Sequence, residues 1–123
     1  MKVKGTLLKF NVKDKLDITI TKDCKIDIPE RIPLVNLFAF HDPYSVCGYA
    51  TVERTEDGYV MTGHIDNSSP KISEMHIGHG IGCYMTDVLV DGIGNIKAFT
   101  IKACSFVKYP AHPDYIINEI LED

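Results

Sequence analysis

Most apolar segments of this chain are short, rich in β-branched residues and bounded by turn formers, which is the pattern of strands. "KVKGTLLKF" and "LDITIT" open the chain in this way, and "DITI" alternates apolar with polar. "IPERIPLVNLFAF" begins with prolines, which suit a sheet edge or a loop, and ends in an apolar run. "VCGYATVERTEDGYVMTGHI" holds two alternating runs around "TEDG", where Asp57-Gly58 supplies the left-handed position of a tight hairpin. "YMTDVLVDGIGNIKAFTIKACSFV" repeats that form around "DGIGN". Two segments read as helix. "SSPKISEMHI" has Ser69 as a cap and Pro70 in its first turn, and "HPDYIINEILED" places Tyr115, Ile116, Ile120 and Leu121 on one face from Pro113 onward. The expected fold is mainly β with one or two helices. The hairpins at 46–66 and 84–107 would pair into a closed or nearly closed antiparallel β-barrel in one domain, 1–123, with the C-terminal helix packed on it.

Composition narrows the classes. Hydrophobic residues make up 45% of 123 residues, enough for one core without staples. The net charge is −4, from 13 basic and 17 acidic residues, and no basic run favours nucleic acid. No apolar stretch approaches membrane-spanning length, and "MKVKGTLLKF" lacks the apolar region of a signal peptide. Cys24, Cys47, Cys83 and Cys104 show no CxxC spacing, so reduced thiols are expected.

"MHIGHGIGCY" (residues 75–84) sets His76, His79 and Cys83 among Gly78, Gly80 and Gly82. Zinc is one option, with His76, His79 and Cys83 as ligands, but the fourth ligand would have to come from His64 or His41 at no standard spacing. The glycines also break any helical ligand face. A second option is a nucleophile, Cys83, activated by a nearby histidine. The third, which the residues favour, is a tight glycine corner leading into a strand, with Cys83 as a small buried hydrophobe.

Two further stretches widen the picture. "LFAFHDPYSVCGYATVERTEDG" ends an apolar run in His41-Asp42, and "IKACSFVKYPAHPDY" carries Ser105, Val107 and Pro110-Ala111. In this order the chain resembles the prohead (capsid maturation) serine proteases of tailed phages. That family has a β-barrel core related to herpesvirus assemblins and cuts scaffold and capsid proteins inside the immature head. The resemblance implies that His41 is the base. It places the nucleophile of a "GLSxG"-like stretch at Gly82, and the acid two residues before Ser105 at Ala103. Neither residue has the required chemistry. Cys83 lies one place along, and a one-residue step in a strand reverses the face unless a bulge re-aims it.

The resemblance therefore implies a phage or prophage protein of the capsid or virion that is catalytically silent and acts in head assembly or structure. Its partners would be capsid or scaffold proteins, or copies of itself, with no nucleic acid, membrane or cofactor, in the virion or the host cytoplasm. Two alternatives stand beside this: an active peptidase using Cys83 with His41 or His79, and an unrelated β-barrel binding module with zinc at His76, His79 and Cys83.

Overall fold

The computed structural model describes residues 1–36, 46–66, 77–93 and 95–121. These form eight strands: β1 (Lys2–Lys9), β2 (Ile20–Asp27), β3 (Ile32–Asn36), β4 (Val46–Arg54), β5 (Gly58–Ile65), β6 (Gly80–Val90), β7 (Ile96–Val107) and β8 (Ile117–Leu121). All belong to one sheet in the order β2-β7-β3-β4-β5-β1-β8, with β6 also paired to β7. The described part of the chain is thus mainly β, as the alternation predicts.

The long strand β7 organises the sheet. Along one edge it pairs with β6 from Gly80↔Val107 to Val90↔Ile96. Its other edge is shared: β2 runs parallel to its first half (Lys25↔Ala98 to Asp27↔Thr100) and β3 parallel to its second (Leu34↔Cys104 to Asn36↔Phe106). Pro33 explains where the second ladder starts. It has no N–H to give, so pairing with β7 begins one residue later, at Leu34. Pro29 lies in the loop before β3, and Pro33 sits within β3 but pairs only with Tyr49 of β4, so its β7 side is an edge position.

Burial follows the pleat, with exceptions that bulges explain. In β1, Val3 and Leu7 alternate inward, and a register shift between Thr6 and Leu8 turns Leu8 inward as well. Val3, Leu7, Ile32, Leu34, Met61, Ile81, Ile101, Phe106 and Ile117 are fully buried and form one cluster. Gly5 is required at the crowded point where β1 crosses: an added Cβ would run into the Ile81 side chain and the Ile116 carbonyl.

Several expectations are corrected. The segment from Pro113 to Leu121 is no helix but a turn followed by β8. The Tyr115 N–H donates to the His112 carbonyl (3.0 Å), and β8 then pairs with β1 (Lys2↔Leu121 to Gly5↔Ile117). The open edge of β1 needs a partner, and the β-branched pair Ile116-Ile117 suits a strand better than a helix. Tyr115 and Ile117 are buried two residues apart, whereas Ile116, Ile120 and Leu121 are only half-buried. β1 and β2 are not neighbours in the sheet. β2 starts at Ile20, later than "LDITIT" suggests, and pairs with β7; the intervening loop is closed by the Lys13↔Thr19 bridge and by N–H groups of Asn11 and Asp14 donating to the Ile20 (2.7 Å) and Ile18 (3.0 Å) carbonyls. Gly58 takes an extended backbone rather than a left-handed one, and Asp57 has no positive φ. The glycine is needed there because β1 presses on it: a Cβ would meet the Leu8 carbonyl.

The sheet is neither wholly antiparallel nor closed. β2 and β3 run parallel to β7. Residues 115–117 do reach the start of β6: Gly78 N–H donates to Ile117 O (2.9 Å), Ile117 N–H to His79 O (2.8 Å) and Ile81 N–H to Tyr115 O (2.8 Å). This contact amounts to an isolated Gly80↔Ile116 bridge, not a ladder. The proposed helix at "SSPKISEMHI" lies almost wholly outside the described residues.

The strand at the C-terminus makes a test. Ile117→Ala should cost about 2–5 kcal/mol in urea unfolding, as for a fully buried aliphatic side chain, and Ile116→Ala distinctly less. The reverse order would indicate a helical face.

Candidate functional site

The glycine corner turns at Gly78, whose φ is +96°, and leads into β6 at Gly80. From Gly80↔Val107 to Tyr84↔Ala103 the ladder with β7 is regular, and its first shift falls between Tyr84 and Met85. Strict alternation therefore holds across the segment that matters. Ile81 and Phe106 are fully buried on the inner face, and Cys83 and Cys104 lie on that same face. Gly82 and Ser105, directly opposite one another, occupy the outer face, together with Tyr84 and Ala103. A Cβ at Gly82 would sit 3.2 Å from the Ser105 Oγ and 3.4 Å from a Val107 methyl.

Positions 82, 103 and 105 thus meet on one face of one hairpin, and Cys83 is directed to the other. The bulge that would re-aim Cys83 lies downstream of it, so the thiol does not enter the outer face. His41 and Asp42 lie outside the described residues, as does His76. His79 precedes β6 and is half-buried, its carbonyl accepting from Ile117. Four residue steps of nearly extended chain, about 13 Å, separate it from Cys83, which is too far for one hydrogen bond to join imidazole and thiol. His64 lies on β5, its ring stacked on Tyr49 at 4.5 Å with the Arg31 guanidinium on the Tyr49 ring, 4.5 Å from its centroid. Among the described residues, no three His, Cys, Asp or Glu side chains are grouped to hold a metal ion.

Cys83 instead lines a cavity of about 160 Å³. Leu7, Leu8, Ile18, Met85 and Tyr115 contribute to its walls. The loop between β1 and β2 covers it. Asp14 folds that loop by accepting at one oxygen from the Leu16 N–H (2.8 Å) and the Ile18 N–H (2.9 Å). The Lys15 N–H ties the loop to the Ala111 carbonyl (2.8 Å). In these apolar surroundings burial pushes the Cys83 thiol up to about 11. Cys104 is pushed up to about 12, first by burial and then by Cys83 beside it.

Sequence reasoning missed the juxtaposition of Cys83 and Cys104 and the place of Tyr115 in the cavity wall. Counting outward from Val90↔Ile96 without bulges would set Cys83 opposite Ala103; the shifts along the hairpin move the pairing by one residue. No local signal in "FTIKACSFV" marks that shift.

No family model matches the chain, and neither a curated protein nor a solved structure is found to be similar to it.

The position of Cys83 predicts its reactivity. Only the thiolate is nucleophilic, and a raised pKa leaves little of it at neutral pH. Alkylation of Cys83 by iodoacetamide should be slow near pH 7 and rise about tenfold per pH unit until the pH approaches about 11. A fast reaction that levels off near neutrality would place an activating base beside the thiol.

Proposed function

We propose that the chain is a catalytically silent relative of the phage head-maturation proteases, acting as a structural or assembly component of a phage or prophage capsid. One observation carries this reading. The positions that the resemblance assigns to nucleophile and acid, Gly82 and Ala103, share the outer face of the β6–β7 hairpin with Ser105, as cooperating groups must, yet glycine and alanine supply neither nucleophile nor acid. Cys83 does not substitute for the missing serine. It faces the interior, and burial keeps its thiol protonated.

An assembly role also has support in the far end of the same hairpin. Val88, Leu89, Val90 and Ile93 are large apolar side chains left exposed, Ile93 to 83%, on an arm braced by Asp91. Clustered exposed apolar residues mark protein contact surfaces. The partner in this proposal is a capsid or scaffold protein, or a second copy of the chain, in the virion or the host cytoplasm.

Two measurements test the proposal. Purified protein should cleave neither itself nor a casein substrate; cleavage lost on Cys83→Ala would instead establish the active-peptidase alternative. A tagged chain expressed in the cell that encodes it should band with assembled phage heads in a density gradient. Its complete recovery among unassembled proteins would overturn the capsid role.

A further inference from the structure

The β6–β7 register sets Cys83 directly opposite Cys104, and the direction of the backbone groups fixes the kind of pair they form. In an antiparallel ladder, opposed residues alternate between hydrogen-bonded pairs and non-hydrogen-bonded pairs, the latter with closer side chains. The His79 carbonyl and the Ile81 N–H are engaged by Ile117 and Tyr115, on the side away from β7. With the ladder regular from Gly80 to Tyr84, the backbone groups of Cys83 also point away from β7. Cys83 and Cys104 are therefore a non-hydrogen-bonded pair. Their Cα atoms should lie about 4.5 Å apart, within the range that a disulfide spans. Both side chains are on the inner face, between Ile81 and Phe106 on one side and the β-bulge on the other.

The two thiols differ in access. Cys104 is fully buried, whereas Cys83 is half-buried and lines the cavity beneath the β1–β2 loop, which has room for a molecule the size of a peroxide. Neither has a part in the function proposed above.

We infer that Cys83 and Cys104 form an oxidisable pair, in which Cys83 meets a small peroxide in the cavity and Cys104 closes an intramolecular disulfide across β6 and β7. The Cys83 sulfur attacks one peroxide oxygen of hydrogen peroxide. An S–O bond forms, the O–O bond breaks, and the released hydroxide takes the thiol proton to leave as water. Cys104 sulfur then attacks the sulfenic sulfur; the S–S bond forms, the S–O bond breaks, and the departing hydroxide takes the second thiol proton. Two thiols and one peroxide become one disulfide and two waters, two electrons passing from sulfur to oxygen. Because burial holds both thiols protonated, the pair responds to sustained oxidant rather than to a brief pulse. The disulfide would lock the hairpin that carries the exposed apolar arm.

The inference does not depend on the capsid reading, and its test needs only the full purified chain. The protein is treated with hydrogen peroxide, unfolded, alkylated and mapped by mass spectrometry without reduction. A peptide linking Cys83 to Cys104, released by dithiothreitol, is expected, with Cys24 and Cys47 still alkylated. Cys104→Ser should leave a Cys83 sulfenic acid that dimedone traps, and Cys83→Ser should leave Cys104 as a thiol. Three results would overturn the inference: a disulfide joining other cysteines, Cys83 over-oxidised beside a reduced Cys104 in the unaltered chain, or both thiols intact after Cys24 and Cys47 have been oxidised. The first mapping requires no variant, so a misfolded substitution would not obscure it.

Discussion

The register of β6 against β7 is the constraint on which the rest of the site depends. β7 carries backbone donors and acceptors along both edges, and a buried strand must satisfy all of them. One edge is taken by β6 over nearly its whole length; the other is divided between β2 and β3. Shifting β6 by one residue would drive Ile81 out of the core and bring Gly82 into it. Ile81 is fully buried against Gly5, where no larger residue fits, so that shift is opposed by packing as well as by hydrogen bonding.

The chemistry follows from the same register. It separates Gly82 from Cys83 although they are neighbours in sequence, and it joins Cys83 to Cys104 although they are far apart. Gly82 and Ala103, whose side chains carry neither nucleophile nor acid, meet on the outer face beside Ser105. The sulfur faces inward, where desolvation suppresses its thiolate. Among the described residues, the far end of the same hairpin leaves Val88, Leu89, Val90 and Ile93 exposed to water.

Much of the strand content was legible because alternation is a local signal. The two hairpins around "TEDG" and "DGIGN" stand where the turn residues put them, although Gly58 serves close approach to β1 rather than a left-handed turn. The C-terminal helix was misread because Tyr115, Ile116, Ile120 and Leu121 satisfy a helical spacing. The unpaired edge of β1 and the groups offered by Gly78 and His79 made a strand the better use of that backbone, and neither is visible from the segment itself. The parallel placing of β2 and β3 on β7 is likewise long-range. The glycine corner was read correctly at Gly78 as a turn into a strand. The cysteine pair was hidden by bulges, which alter pairing without leaving a mark in composition. His41, on which the base assignment rests, lies outside the described residues.

NMR on labelled protein reads the register of β6 against β7. In non-hydrogen-bonded antiparallel pairs the facing Hα atoms come into close contact, whereas in hydrogen-bonded pairs they are farther apart. Strong Hα–Hα cross-peaks are expected for Ile81–Phe106 and Cys83–Cys104, and none as strong for Gly82–Ser105. A strong Gly82–Ser105 cross-peak, or one joining Cys83 to Ala103, would contradict the assignment of faces and with it the account of the site.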